Sequence, residues 1–550
     1  MSINELAQEF WDGLMADSPT WRHLLGDLAD VGSFESATRE SEDATIARMR
    51  DQLAHVEAVS VDGLSDDEAT THGVLLTELR TRIDMLEARF RTHAADSIFG
   101  LQEELPIYAG MLGVPDEDVA AAMTDKLRGI GRHFRELAER QHEGVRAGRN
   151  APAFAVNAVV EQISSLLSTP IADDEFVAAL NVPEGADEQA WRERWSAVVE
   201  SDVRPGLASY QEVLREIAGS ARPDDRVGLC HLPDGDALYA TTLRYFTTTD
   251  KSAEEIHQIG LDQVAALADE YAAMGPAVVG TCEVSAIFEA MRTDPALHFT
   301  DGQQLVTQSE VAMARAWEAM GDWFEVLPQA PCTVTGTTSG AKAFYFPPAP
   351  DGSRGGSFFI NIDKPESWGT FELEAMAFHE GIPGHHLQLA IAAELPDSVP
   401  AIRRFSENAA YAEGWGLYTE RLADEMGLYS TEVDRLGMLA ADSMRACRLV
   451  VDTGIHALGW TRSQAVDYMV ENSPLTREMC QPEIDRYILT PGQACSYMIG
   501  RLEIERMRRT AQAAPGFDIK KFHSAVLDSG ALPLDVLDRV VARRVSGQKP

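Results

Sequence analysis

Through most of this 550-residue chain, apolar side chains recur at three- and four-residue spacing, the pattern of an amphipathic helix. The pattern is clearest in the Ala/Leu/Glu/Arg-rich segments around 43–60, 66–95, 116–147 and 188–219. Breaks fall at Gly/Pro/Asp clusters such as Pro183-Glu184-Gly185 and Arg222-Pro223-Asp224-Asp225. A chain so patterned is predicted to be mainly α, with β structure confined to one region. No internal repeat or low-complexity linker interrupts it. The short 222–235 stretch divides an N-terminal helical part, 1–225, from a C-terminal part, 226–550, and its brevity predicts that the two pack together as one unit.

The β-prone region is Ala343-Phe344-Tyr345-Phe346 and Ser357-Phe358-Phe359-Ile360-Asn361, separated by Pro350-Asp351-Gly352-Ser353-Arg354-Gly355-Gly356. This predicts a hairpin with a long turn. A helix rich in histidine follows, with Glu372 and Glu374 suited to the positive end of its dipole. A strand edge beside that helix is able to hold an extended peptide by backbone hydrogen bonds, with Tyr345 and Asn361 as substrate-binding candidates. An ordinary structural hairpin is the alternative.

Composition excludes several classes. At 45% hydrophobic and 24% charged, the chain reads as globular rather than disordered. Its formal charge of −40 argues against nucleic-acid partners and against docking on anionic membranes. None of the six cysteines forms a C-x-x-C pair, so no zinc ribbon or redox motif is visible. They read as isolated thiols of a reducing compartment. Residues Met1-Ser2-Ile3-Asn4-Glu5-Leu6 carry no basic and apolar leader pattern, and no apolar run approaches bilayer length. The expected location is the cytoplasm; the oligomeric state is left open.

Three of the fourteen histidines fall within His379-Glu380-Gly381-Ile382-Pro383-Gly384-His385-His386. Zinc takes nitrogen and carboxylate ligands in a tetrahedron, and a catalytic site keeps one position for water. The familiar helical solution, H-E-x-x-H, is not met, because Pro383 stands where the second histidine belongs. On an unbroken helix His379 and His386 would lie roughly 10 Å apart along the axis, too far for one shared ion. Pro383 and Gly384 should therefore interrupt the helix. Treated as a two-residue insertion, they let His385 take the second ligand position and leave His386 to support the site or to contact substrate. Spacing alone keeps the reverse assignment open.

A third ligand must come from another element. Glu413, in Asn408-Ala409-Ala410-Tyr411-Ala412-Glu413-Gly414-Trp415-Gly416, is the candidate, with Glu420 two turns on along the same helix face and placed to orient a histidine. Gly414 and Gly416 each cost a helix about 1 kcal/mol relative to Ala. Close approach to the histidine helix would offset that. The alternative is that both glutamates are exposed helix carboxylates.

At these residues the sequence resembles the bacterial family known as domain of unknown function (DUF) 885, grouped with the HExxH-type metallopeptidases of the glutamate-zincin kind. The matching pieces are Phe358-Phe359-Ile360-Asn361, the segment from His379 to Gln388, and Ala412-Glu413-Gly414-Trp415. Arg448-Leu449-Val450-Val451-Asp452-Thr453-Gly454-Ile455-His456 and Pro491-Gly492-Gln493-Ala494-Cys495-Ser496-Tyr497 also match. Gly384-His385-His386-Leu387-Gln388 is similar to part of the helical zinc carboxypeptidases and oligopeptidases. That similarity supports His385 over His386. It implies a large, mostly helical metallopeptidase-like fold with a deep cleft and a small sheet on one wall.

The helix around 436–460 carries Arg445, Arg448, Asp452 and His456 at spacings of three and four. They are read either as ion pairs stapling helices or as a polar cleft wall, with His456 assigned to the cleft and Arg445 to structure. The resembling peptidases use a late Tyr or His to stabilise an oxyanion, which nominates Tyr497. Arg486 and Tyr487 come next, for a substrate carboxylate.

The expectation is that His379, His385 and Glu413 hold one Zn²⁺ with its water, while Glu380 acts as general base. Short peptides or small amides would be the substrates. The rivals are a metal-dependent amidase or C–N-cleaving tailoring enzyme acting on a small metabolite, and a non-catalytic metal-binding scaffold. Glu380 speaks against the scaffold, because the ion does not need it as a ligand.

Overall fold

The helical segments are where the apolar spacing predicts them: Arg39–Glu57, Asp66–Glu87, Glu117–Arg146, and a run from Glu188–Val198 to Arg204–Ile217 joined by one π turn at Val199–Val203. Side-chain caps start many of them, as Thr38 accepts from the Ser41 amide and Asp116 from that of Val119. This is a computed structural model that describes residues 1–349, 352, 354–406 and 408–546. The protein is mainly α with one small sheet, as expected.

The chain divides into two compact units. The first comprises Met1–Val59 and Leu79–Leu238; the second comprises Ser60–Glu78 and Tyr239–Pro550. Both later divisions fall inside helices, Asp66–Glu87 and Gly235–Thr247, rather than in a linker. In the first unit, Glu117–Arg146 packs on Arg204–Ile217 around Leu127, Phe134, Leu207 and Tyr210. Glu42 is buried between Arg89 and Arg140 there. A cavity of about 600 Å³ in this unit is lined by Arg39, Arg50, Arg89 and Glu143, and its guanidinium groups already face carboxylates.

The second unit holds the histidine segment. Its elements relevant to the site are α1 (Ala253–Val278), α2 (Gly302–Trp323), β1 (Cys332–Thr337), β2 (Ala343–Phe346) and β3 (Gly356–Asn361), followed by α3 (Glu372–Glu380) and α4 (His385–Ala393). Beyond them come α5 (Ala409–Glu425), α6 (Glu432–His456), α7 (Arg477–Leu489), α8 (Ser496–Gln512) and α9 (Ile519–Leu527). Helix α6 is buried along almost all of its length from Leu436 to His456, and its buried polar side chains are paired, as Asp442 is with Arg421 and Arg501. It packs against α1, α3 and α7.

Helices α5 and α8 cross closely because of two glycines. A Cβ on Gly414 would lie 2.5 Å from Gly500 Cα, and one on Gly500 would lie 2.0 Å from the Ala410 carbonyl oxygen. The expectation that Gly414 serves contact with the histidine helix is thus corrected: its partner is α8.

β2 and β3 form the expected antiparallel hairpin, with Ala343 opposite Ile360 and Phe346 opposite Ser357. Of the turn between them, Pro350, Asp351 and Ser353 lie outside the described residues. The sequence reading missed β1, which pairs in parallel with β3 and makes the order β1-β3-β2. Phe358 and Ile360 face the core, while Phe359 stacks on Phe344 across the other face at 4.8 Å. β2 is an outer strand of the sheet. Among the described residues no helix is long and apolar enough to cross a membrane.

Candidate metal centre

The helix that begins at Glu372 stops at Glu380, and a second one starts at His385. Four residues, Gly381-Ile382-Pro383-Gly384, make the break that Pro383 predicts. It is held by the Trp415 indole, which donates to the Pro383 carbonyl at 3.0 Å, and by the His386 amide, which donates to Gly381 at 3.1 Å. Glu372, at the start of α3, accepts from Lys342 and from the Gly369 amide. Glu374 accepts from Arg315 and Ser430.

The break turns His385 back toward His379. Their rings meet edge to face with centroids 4.7 Å apart. Glu413, from the second turn of α5, places Oε2 3.4 Å from His379 Nε2 and 3.5 Å from His385 Nε2. The ligand atoms of these three residues all lie within 4.8 Å of one another. Two atoms bonded at about 2.0–2.1 Å to one tetrahedral ion lie about 3.4 Å apart. The nitrogen–oxygen separations therefore suit ligands of a common ion better than direct hydrogen bonds. The donor set fits: this His-His-Glu group is able to bind a metal.

Hydrogen-bond logic sets the tautomer. Glu420 is fully buried on the same face of α5, and its Oε1 is 2.8 Å from His379 Nδ1. A carboxylate only accepts, so Nδ1 carries a proton and Nε2, which faces Glu413, is the nitrogen left to hold an ion. Burial lowers the His379 pKa, but the carboxylates of Glu413 and Glu420 outweigh it and raise it to about 9 in the metal-free site, where the ring holds a proton on each nitrogen and a bound ion would take the place of the one on Nε2. Burial opposes ionisation of Glu413 too, and the two histidines overcome it and hold its pKa well below the usual range. Glu380 is 9% exposed; burial raises its pKa, and the neighbouring histidines only partly oppose the rise.

Close packing fixes the ring as well. A Cβ on Gly416 would lie 2.6 Å from His379 Cε1, so only glycine lets the imidazole rest against α5. Replacing Glu420 with Gln should weaken metal affinity about ten- to a hundredfold, because the amide can present its NH₂ to Nδ1 and release the ring from its orientation. Chelator competition measures this, and unchanged affinity would remove Glu420 from the site.

The other residues nominated from sequence divide. Tyr497 stands at the site: its ring stacks on that of His379 at 6.5 Å, and its hydroxyl makes no hydrogen bond to the described residues. His386 does not. Its Nε2 must donate to the Ala330 carbonyl at 3.0 Å, so Nδ1 accepts from the Tyr345 hydroxyl at 2.9 Å. Burial depresses its pKa to about 4, which leaves a neutral cross-link between α4 and the sheet instead of the catalytic or substrate-contacting group expected. Tyr345 is occupied by the same bond. Asn361 is also corrected: its side chain donates to Gly340 and accepts from the Asp363 amide, tying down the end of β3.

His456, read as a cleft residue, is fully buried and bonds the Tyr487 carbonyl at 3.0 Å, joining α6 to α7. Tyr487 is 1% exposed; its hydroxyl accepts from Arg448 and donates to Glu483. Arg486 reaches Gln493 and Glu483. The Tyr487 hydroxyl is thus committed within the protein rather than left for substrate, and both terminal nitrogens of Arg486 already have partners. Arg448, read from sequence as either a stapling ion pair or part of a cleft wall, lies closer to Tyr497 than Arg445 does, with Cζ 4.4 Å from the ring centroid against 5.8 Å. Its spacing to Arg445 and Asp452 was the only available signal.

Comparison with known proteins identifies the family. The family model described as "Bacterial protein of unknown function (DUF885)" matches residues 19–541. The chain belongs to the DUF885 family. Two solved structures share the fold. One is described as "the putative lipoprotein from Colwellia psychrerythraea", at a TM-score of 0.91 and 24% identity over 99% of both chains. The other is "a putative lipoprotein of unknown function from Shewanella oneidensis", at 0.77 and 18%, covering 98% of this chain and 99% of that one. A third, "a putative oligoendopeptidase F from Bacillus anthracis str. Ames", aligns at a TM-score of only 0.32 and 12% identity over 90% and 95% of the chains, too low for a shared fold. No curated protein matches.

These relatives overturn the cytoplasmic expectation. Two proteins of the same fold are described as putative lipoproteins, a class that is membrane-anchored or exported. Neither missing leader features nor unpaired thiols identify a compartment.

Proposed function

We propose that this DUF885 protein is a zinc-dependent hydrolase of peptide or other amide bonds, related in mechanism to the glutamate-zincin metallopeptidases. The observation that carries the reading is the spacing of three ligand atoms from His379, His385 and Glu413, with Glu380 buried beside them and not needed as a ligand. A bound divalent ion supplies Lewis acidity toward a carbonyl and acidifies water. Glu380 takes the proton of the attacking water and delivers it to the departing nitrogen. The Tyr497 hydroxyl donates to the carbonyl oxygen as negative charge builds there. Glu420 keeps His379 in the tautomer that leaves Nε2 free.

A nitrogen and carboxylate donor set favours zinc but also accepts Mn²⁺, Fe²⁺ and Co²⁺. The test is to strip the protein, reconstitute it with each ion, and map cleavage of a peptide library by mass spectrometry. Cleavage that requires the ion and is supported by Zn²⁺ is expected. Turnover of small amides with no peptide cut would make the protein an amidase of small metabolites. Hydrolysis of neither class would overturn the proposal.

A further inference from the structure

We infer that Arg448 binds the free α-carboxylate at the C-terminus of a peptide substrate, so that the site releases residues from that end. The inference rests on the hydrolase reading above and specifies its substrate.

Arg448 is 4% exposed. Its Nε donates to the Tyr487 hydroxyl at 2.8 Å and its Nη2 to Glu483 at 3.0 Å. Its Nη1 is buried with no acceptor. Among the described residues it is the one terminal guanidinium nitrogen so stranded; the other buried arginine atoms without partners are all the inner Nε. Leaving a charged donor unsatisfied is costly, and the natural complement of a free guanidinium edge is a carboxylate oxygen.

Charge points the same way. Arg448 and Arg486 both turn to the same oxygen of Glu483, which also accepts from the Tyr487 hydroxyl. One carboxylate thus serves two guanidinium groups, in a chain whose net charge is −40. With a divalent ion in place, Glu380, Glu413 and Glu420 balance the ion and Arg445, whose Nη2 lies 3.9 Å from Glu420. The excess positive charge therefore sits at Arg448 and Arg486, and of these two only Arg448 has a buried terminal nitrogen without a partner.

Position completes the case. The Tyr497 ring lies 4.4 Å from Arg448 Cζ and 6.5 Å from the His379 ring, so arginine and ligand are separated by no more than the sum of these distances. An extended chain covers about 3.3–3.6 Å per residue. After allowance for the contacts at each end, at most about two residues fit between a carbonyl at the ion and a carboxylate at Arg448. Hydrolysis there breaks one C–N bond. The water's oxygen enters the new carboxylate, and its two hydrogens, as protons, join the amino group of the released residue or dipeptide.

The experiment compares an N-acetylated pentapeptide bearing a free C-terminal carboxylate with its C-terminal amide. On zinc-loaded wild type, the acid should lose one or two C-terminal residues, with kcat/KM at least about tenfold above that for the amide. In calorimetry with zinc-loaded Glu380→Gln, the acid should bind at least about tenfold more tightly. Adding Arg448→Gln should abolish that preference, and Arg448→Lys should restore part of it, since it keeps the charge and loses the fork. If Arg448→Gln does not fold, the acid–amide comparison on unchanged Arg448 still decides. Equal binding of acid and amide, or cleavage of both at the same internal bond, overturns the inference while leaving the hydrolase intact. Failure of wild type to cut any peptide overturns the peptidase part of the hydrolase reading, and the binding preference then judges Arg448 separately.

Discussion

Glu380→Gln should retain one metal ion per chain and lose hydrolysis by about two to four orders of magnitude, the usual contribution of general acid–base catalysis. The substitution preserves size and hydrogen bonding and removes only the ability to take a proton. Glu380 ends α3 immediately after the proposed ligand His379, is 9% exposed, and is not one of the three residues whose ligand atoms cluster. Metal content by atomic spectroscopy and kcat/KM on one cleaved substrate give the answer together. Undiminished activity would eliminate the proposed base; a loss of metal would show that Glu380 holds the ion rather than the proton.

His379→Ala should reduce metal content from one ion to almost none, and should also destabilise the metal-free protein by about 3–5 kcal/mol. The second effect follows from Glu420, which is 1% exposed and whose Oε1 is bonded to His379. Removing the imidazole strands a buried carboxylate. His385→Ala should lose the ion equally but destabilise the metal-free chain less, because His385 Nδ1 has no partner to abandon. Denaturant unfolding in the presence of chelator, alongside metal analysis, separates the two. Retention of a stoichiometric ion by His379→Ala would dismiss the metal centre.

Much of the framework was legible because its signals are local. Apolar periodicity placed the long helices, the Phe-rich runs placed the hairpin, and Pro383 placed the interruption between the histidines. β1 escaped because a parallel strand is defined by a partner more than twenty residues away. Its Thr-Val-Thr run is short, and its side chains are only half covered. His456 and Asn361 were assigned to substrate on residue type, yet the structure commits their side chains to backbone groups, as buried or turn-end polar groups generally are.

By itself, the sequence determined that the chain is mainly helical, that the histidine helix must break at Pro383-Gly384, and that Glu413 and Glu420 share a face of another helix. Those consequences follow from dihedral limits and helical pitch, which act over a few residues. Tertiary structure alone decided which histidine joins His379. Past a non-helical break, counting residues no longer says where a side chain points, and the outcome rests on what surrounds each ring. Tyr345 and Ala330 hold both nitrogens of His386, while Glu413 approaches His385. Tertiary structure also decided that Gly416 rests against His379 and that Arg448 keeps one guanidinium nitrogen free beside Tyr497. Both depend on contacts between helices distant in the chain, and no spacing within one helix encodes them.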